Sequence, residues 1–387
     1  MYRLSMIGGV RSQAGEEQDA VHTDLAPRAR RPGVMRALVV ESPNEFAVRD
    51  VERPEPGPYE VLCRVRATAI CGTDPHIIQG HYPGFWPKHW PLIPGHEWCG
   101  DVVEVGAGAA ALGWQVGTRV AGTSHAACGY CRRCIEGRYN ICENFGVEGL
   151  HAQYGHNAPG AYAEYVVHSV RSVFPVPDGM SDEEAAMLDP AAIALHTVIR
   201  GGHRAGDAVA VIGPGVMGLL VAECAHALGA GRVIVIGRGR RLAKARELGH
   251  EVIDFTETDP VQAVRETTDG FGADVALECS GAPEAVAQGI EMVRKGGRVA
   301  VIGIPLSNAS LPMPRTVLDE IDVVGVRASA GEMPRAIELA ASGRIRMREL
   351  ITHRYALEDF AEAYATFTER ADGALKVMVH PDEDAPA

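Results

Sequence analysis

The stretch Ala208-Val-Ala-Val-Ile-Gly, then Gly213-x-Gly215-x-x-Gly218 and the apolar run Leu219 to Leu228, constrains the fold of this chain more than any other. Apolar residues bounded by glycine read as a buried strand, and the run that follows has helical length. Gly213 permits a tight turn, Gly215 lets the backbone approach a pyrophosphate, and Gly218 lets the helix pack close to the strand. The helix N-terminus favours the negative charge, so Val216 and Met217 in its first turn join the predicted cofactor contacts. A glycine triplet alone carries little, but here a second strand, Arg232-Val-Ile-Val-Ile, follows the helix and supplies the context the motif needs. Asp274-Val-Ala-Leu-Glu-Cys-Ser and Gly297-Arg-Val-Ala-Val-Ile-Gly continue the alternation, with a helix over Pro283 to Arg294 between them. Residues 189–324 are therefore expected to form a doubly wound parallel sheet that binds a dinucleotide.

The second of these strands ends in Gly237, followed by Arg238, Arg240 and Arg241. Sites selective for NAD place an acid there to bond the ribose hydroxyls and repel a 2′-phosphate. The acid is missing, and guanidinium groups bind phosphate in bidentate fashion. The reading favours NADP over NAD, with Arg238 as the first phosphate contact and Arg240 as the second.

Nine cysteines in 387 residues raise the question of disulfides. Clustered cysteines in a long chain without a secretion signal more often bind metal. Cys128, Cys131, Cys134 and Cys142 follow the pattern C-x2-C-x2-C-x7-C on one short loop. Four thiolates close a tetrahedral shell with no open position, which is a structural Zn²⁺ site. The spacing does not match the ferredoxin runs of iron–sulfur proteins.

A second constellation lies upstream, in Cys71-Gly-Thr-Asp-Pro-His76 and Gly95-His-Glu97. A catalytic zinc takes about three protein ligands and keeps one position open. Cys71 and His96 fit two of them. The carboxylate is Glu97 or Asp189, the latter in Leu188-Asp-Pro190, and the sequence leaves that choice open. Asp74 is placed to fix the His96 tautomer, and Thr73 and His76 to carry a proton away. The intervening loop His81-Tyr-Pro-Gly-Phe-Trp-Pro-Lys-His-Trp90 is unusually aromatic, suited either to lining a substrate pocket or to packing against the second domain.

Length and composition bound the rest. The chain suits two domains of roughly 150 residues and a tail. Hydrophobic residues at 46% and charged residues at 22% are ordinary for a globular protein. A net charge of −13, from 37 basic and 50 acidic residues, argues against nucleic-acid or anionic-membrane partners and for small-molecule chemistry. No apolar run approaches a membrane span and no secretion signal is evident, so a cytoplasmic protein is expected. Residues 1–34 show no sustained period and read as a disordered extension. From Met35 to about Tyr165, short β-rich runs alternate with Pro and Gly punctuation, as in a compact β domain. After about Gly325 come two amphipathic helices, Glu332 to Ser342 and Leu357 to Thr368. A strand at Lys376-Val-Met-Val follows, able to return to the first domain.

With both Cys/His constellations and the glycine turn in hand, the chain resembles the zinc-dependent medium-chain alcohol dehydrogenases from about Met35 to His380, including Gly160-Ala-Tyr-Ala-Glu-Tyr165. Glu97 and Asp189-Pro190 look most like the sorbitol, threonine and butanediol dehydrogenase branch. The resemblance implies a β-rich GroES-like catalytic domain from residues 35–188 and 325–387, with a Rossmann coenzyme domain, residues 189–324, inserted between. It also implies two zinc ions per chain, one catalytic and one structural, a nicotinamide cofactor, and a homodimer or homotetramer. The reaction implied is hydride transfer between a secondary alcohol and the cofactor, giving the ketone, with a proton path through Thr73, the cofactor ribose and His76. The alcohol is a polyol, diol, amino alcohol or ring alcohol. Ser124, small and polar where alcohol dehydrogenases often carry a bulky pocket residue, suggests a roomy hydroxylated substrate. The alternatives are a zinc-free reductase of the same superfamily, which leaves the metal ligands unexplained, and a non-catalytic dinucleotide-binding protein.

Overall fold

A computed structural model describes residues 33–381. The expected N-terminal extension lies outside the described residues except for Gly33 and Val34, and Val34 already begins the strand Val34–Ser42, paired with Glu45–Glu52.

Two sheets position everything else. Six parallel strands run in the order Glu251–Asp254, Arg232–Gly237, Ala208–Ile212, Ala273–Glu278, Val293–Val301, Asp322–Gly325. Chain order reverses between Ala208–Ile212 and Ala273–Glu278, which is where doubly wound sheets open a crevice for ligands. Helices cover both faces, so the inner strands are apolar throughout: four of the five residues of Ala208–Ile212 are buried.

The second sheet has seven strands in the order Ile351–Ala356, Lys376–His380, Glu60–Ala69, Glu97–Val105, Arg119–Gly122, Val173–Pro175, with Tyr165–Ser169 also pairing Glu60–Ala69. The end of the chain thus lies inside the sheet that its beginning forms. Met378 opposes Ala69 and Val379 opposes Thr68, antiparallel, on the edge of Glu60–Ala69 not taken by Glu97–Val105.

The two sheets share one apolar core. The helix Leu188–Gly201 is buried over most of its surface, and Leu188, Leu195 and Val198 pack in one cluster with Val209, Leu277, Ala69 and Cys99, residues from both sheets. A capping box at Ser181 and Glu184 starts the preceding turn, Asp182–Ala186, and left-handed Gly202 ends the long helix.

A buried ion network ties the six-stranded layer to the loop before Ile351. Glu223, 3% exposed, accepts hydrogen bonds from Arg346 Nε at 2.8 Å, Arg346 Nη2 at 2.6 Å and His250 Nε2 at 2.9 Å. Burial opposes the charged carboxylate, but the His250 and Arg346 hydrogen bonds outweigh it and hold the group down to about 2. A carboxyl depressed in the folded state stabilises above its unfolded pKa of ~4.3 and loses that contribution as the pH falls through its folded value. Arg346 is partly exposed, so Glu223→Gln is expected to cost ~2 kcal/mol near neutrality. In denaturant titrations the gap from wild type should shrink by about half at pH ~3; a cost independent of pH would contradict the linkage.

Candidate active site and metal centres

Strand register gathers the first cluster. Glu60–Ala69 ends two residues before Cys71, Glu97 opposes Ala69 from one side, and Ile70 N–H donates to the Val377 carbonyl at 2.9 Å on the other. Three distant segments therefore bring Cys71, His96 with Glu97, and Lys376 to one end of the sheet. The ligand atoms of Cys71, His96 and Glu97 all lie within 4.8 Å of one another. Sulfur, imidazole nitrogen and carboxylate oxygen form a donor set suited to Zn²⁺.

Asp74 holds this end together from below. It is fully buried, and its Oδ2 accepts the Cys71 N–H at 2.8 Å and the Tyr162 hydroxyl at 2.5 Å. Its Oδ1 stands 3.5 Å from His96 Nδ1. Burial disfavours charge on His96, yet the Cys71 sulfur and Asp74 raise its pKa well above the usual imidazole value. Burial likewise opposes charge on Lys376, but Glu97 and Cys71 raise it. The pocket is electronegative and favours a cation.

Asp189, in the first turn of Leu188–Gly201, is not part of the tight three-residue cluster. It is 2% exposed, and burial pushes its carboxyl up to about 7, with His96 pulling it down and Glu97 pushing it up. Its Oδ2 has no hydrogen-bond partner among the described residues.

Thr73 stands at the N-cap of the short helix Asp74–Ile78, so Thr73 and His76 are spaced one turn apart. Thr73 Oγ1 is 3.7 Å from Cys71 Sγ, and His76 Nδ1 is 2.9 Å from His81 Nδ1. The aromatic loop packs mainly on its own half: buried Trp86 donates from Nε1 to Gln153 Oε1 at 2.8 Å and meets the His156 ring edge-on at 5.0 Å. Phe85, 41% exposed, meets Phe145 in a tilted contact with ring centroids 5.2 Å apart.

The four cysteines of the second constellation converge. Their Sγ atoms are 3.6 Å apart for Cys142 and Cys128, and 3.8 Å for both Cys128–Cys134 and Cys131–Cys142. Zn–S bonds of ~2.3 Å at tetrahedral angles give S···S edges of ~3.8 Å. The Cys131 and Glu143 N–H groups point at Cys128 Sγ and Cys131 Sγ, at 3.3 and 3.4 Å, as suits thiolates.

At the crevice of the six-stranded sheet, Gly213 takes φ +103°, and a Cβ on Gly218 would fall 1.8 Å from the Gly213 carbonyl oxygen. Gly215 caps the helix Val216–Ala227 with no side-chain hydrogen bond, so the first-turn amides of Val216 and Met217 have no side-chain cap. Arg238 lies over the Phe255 ring at 5.6 Å. Arg240 leans against Gly373, whereas Arg241 stands beside Gly215 and donates from Nη2 to the Ala374 carbonyl at 3.1 Å. Gly237 is buried against Pro214: a Cβ there would lie 2.2 Å from Pro214 Cγ.

Comparison with known proteins decides the family. The profile "Alcohol dehydrogenase GroES-like domain" matches residues 57–178 and the profile "Zinc-binding dehydrogenase" matches residues 216–342. The sorbitol dehydrogenase of Halalkalibacterium halodurans is 36% identical over 356 residues, covering 90% of this chain and 99% of its own. The chain belongs to the zinc-dependent medium-chain alcohol dehydrogenases. An L-threonine 3-dehydrogenase of Idiomarina loihiensis is 32% identical, over 86% of this chain and 95% of its own. A Sinorhizobium meliloti 1021 structure of the zinc-binding dehydrogenase type, bound to NADP, superposes with a TM-score of 0.83 at 32% identity, over 90% of this chain and 99% of that one.

The dehydrogenase is thus an NAD(P)-dependent oxidoreductase with a GroES-like half and a Rossmann half, as the resemblance implied. Among the described residues no helix is long and apolar enough to cross a membrane. Sequence reasoning missed Lys376, whose Nζ donates to Glu97 Oε2 at 2.5 Å and to the Ile70 carbonyl at 3.2 Å. It also missed His81 beside His76, and Arg241 beside the glycine turn. A lone lysine in a terminal strand carries no local signal; only the pairing of that strand with Glu60–Ala69 gives it a role.

Proposed function

We propose that this dehydrogenase oxidises a secondary alcohol of the polyol, diol or amino-alcohol class to the ketone, and runs the reverse reaction. Cys71, His96 and Glu97 hold a catalytic Zn²⁺, and Cys128, Cys131, Cys134 and Cys142 a structural one. The convergence of the three catalytic ligand atoms within 4.8 Å in an electronegative pocket carries the reading. When bound, the catalytic zinc supplies Lewis acidity that lowers the pKa of an alcohol. Lys376 holds Glu97 in place. Asp74 orients His96, and the unpartnered Oδ2 of Asp189 accepts a hydrogen bond from whatever occupies the open position. Between Glu97 and Asp189, the cluster distances favour Glu97 as ligand.

Thr73 Oγ1 takes the alcohol proton and His76 passes it outward, with His81 as the next group along. The functional division is a catalytic unit of residues 35–188 and 325–387 and a coenzyme unit of 189–324. The nine cysteines form no disulfide among the described residues, and several are buried, which supports a reducing, cytoplasmic setting. Met313, Val317, Leu318 and Val323 are exposed around the edge strand Asp322–Gly325. That unpaired apolar edge supports a homodimer or homotetramer.

The cofactor is NADP in preference to NAD, held at Gly213, Gly215, Val216, Met217 and Gly218 with Arg238 on the 2′-phosphate. Exposed Arg238 stands at the N-cap of the helix that follows Gly237, beside Asp254 and over Phe255, with its guanidinium near the end of the strand. Arg240, turned toward Gly373, is the weaker second contact.

Three measurements test these assignments. Metal analysis should find two zinc ions in active wild type. Cys131→Ser should lose one ion and several kcal/mol of stability, since structural zinc binding is coupled to folding, whereas Cys71→Ser should abolish turnover on an alcohol panel with the fold kept. One ion or none in active protein would sink the two-site reading. For the proton path, Thr73→Val is expected to lose ~10²–10⁴-fold in kcat and His76→Gln far less, because buffer replaces the distal member; equal small losses rule the relay out. For the cofactor, kcat/KM should be higher with NADP than with NAD, and Arg238→Ala should lower the NADP value by ~10-fold or more. A wild-type kcat/KM for NAD at or above that for NADP refutes the preference.

A further inference from the structure

Near the metal pocket stands a positive group that the alcohol chemistry does not use. Arg327 follows the edge strand Asp322–Gly325, and its backbone carbonyl accepts Asn140 Nδ2 at 2.6 Å. Its guanidinium lies 4.1 Å over the Phe145 ring and 5.8 Å from that of Phe85. It makes no ion pair with any described acidic residue, and its Nη2 is buried with no hydrogen-bond partner among the described residues. By contrast, Lys376 is matched with Glu97, His96 with Asp74, His196 with Glu332 and His250 with Glu223. Desolvating a charge without a partner is expensive, and burial lowers the Arg327 pKa.

Two imidazoles beside it have the same unmet need. His151, ring centroid 4.8 Å from that of Phe145, accepts the Gly146 N–H on Nδ1 at 3.2 Å. In the neutral ring Nε2 then carries the hydrogen, and Nε2 is buried without a partner among the described residues. His125, 5.7 Å from His151 ring to ring, faces Ser124 Oγ on Nδ1 at 2.9 Å, and its Nε2 is also buried and unpartnered among the described residues; in the tautomer in which the Ser124 hydroxyl donates to Nδ1, Nε2 carries the hydrogen. Burial first and Arg327 second keep both rings neutral, with His151 pushed down to about 4 and His125 well below the usual range. Neutral imidazoles donate without adding repulsion to the guanidinium.

The cluster borders the reacting centre. The His156 ring lies tilted against the His96 ring at 4.4 Å and meets Trp86 at 5.0 Å, and Trp86 meets Phe85 at 4.9 Å. An unbroken wall of rings therefore runs from the zinc ligand to Arg327.

We propose that the substrate is a secondary alcohol carrying an anionic group, a carboxylate or a phosphate, which Arg327 receives together with the Nε2 donors of His125 and His151. The proposal rests on the alcohol dehydrogenase reading and narrows its substrate class. A guanidinium on an aromatic face presents its donor edge to an oxyanion, and charge-assisted hydrogen bonds of this kind carry large discrimination.

The test compares matched alcohols in the zinc-loaded enzyme: sorbitol against its terminal phosphate ester, and butanediol against hydroxybutyrate. The anionic member of at least one pair is expected to have a kcat/KM ~10-fold or more above its neutral partner, and the pair that shows it tells phosphate from carboxylate. Arg327→Met should collapse that ratio toward one through KM of the anionic member, and Arg327→Lys should restore part of it. Ratios near one in both wild-type pairs, or a ratio untouched by Arg327→Met, overturn the proposal. If no alcohol turns over with either cofactor, the dehydrogenase reading fails instead. The anion site is then read by calorimetry with inorganic phosphate and with acetate: binding that Arg327→Met removes upholds the site, and no binding of either ion overturns it.

Discussion

Glu97 and Lys376 lie 279 residues apart and meet at 2.5 Å, each side chain 3% exposed. A buried ion pair is a poor source of net stability, but removing one partner strands the other at a cost of ~3–5 kcal/mol. The pair therefore makes the register of the last strand and the geometry of the metal pocket one constraint. If Lys376–His380 slipped by one residue against Glu60–Ala69, Lys376 would turn to the other face of the sheet. Glu97 would then be left buried and unpaired beside Cys71 and His96. Because Ile351–Ala356 pairs with the same strand, the whole C-terminal segment is held to the site by this contact.

Charge is graded across the cleft. At the metal end, Asp74, Glu97, Asp189 and Cys71 are set against Lys376 and His96, and the field raises both of those bases. At the far end Arg327 acts without an acid among the described residues and, after burial, lowers the imidazoles beside it. A ligand bridging the two ends with its hydroxyl toward the first and an anion toward the second satisfies both. A neutral alcohol satisfies only one. The wall of rings between them, from His156 through Trp86 and Phe85 to Phe145, has few polar groups with which to bind the middle of a substrate, so orientation falls to the ends.

What the sequence disclosed and what it hid divide along physical lines. The glycine turn and the four-cysteine loop are local: each gathers its functional groups within a dozen or so residues, and backbone sterics or sulfur spacing fix the outcome. Both could be read directly, as could the pairing of Cys71 with His96, since ligand chemistry restricts the choice. Lys376, His81 and Arg327 had no such signature. Lys376 acts through a strand pairing that joins the two ends of the fold, and Arg327 through a loop set against Phe145 from nearly two hundred residues away. Asp189 was found as a candidate but not ranked against Glu97, because helix Leu188–Gly201 brings it near the cluster without the register that places Glu97 opposite Ala69.

Gly237 shows how a correct observation can have a different cause. The sequence offers a missing acid, and electrostatics alone would read that as room for a 2′-phosphate. The structure adds that the site is closed by Pro214, whose ring occupies the space a side chain at 237 needs. Glycine there is thus required by the second residue of the Gly213-Pro-Gly215 turn, whichever cofactor binds. An acid could be introduced only after Pro214 is replaced, so the single change Gly237→Asp would report steric damage and not charge repulsion. Preference at the ribose then rests on what stands outside the strand, chiefly Arg238, whose exposed guanidinium lies over the Phe255 ring at 5.6 Å and within electrostatic reach of Asp254, the residue paired with Gly237. A dianionic phosphate would be a stronger partner for it than the single exposed carboxylate of Asp254, and that asymmetry, more than the absent acid, is the physical argument for NADP.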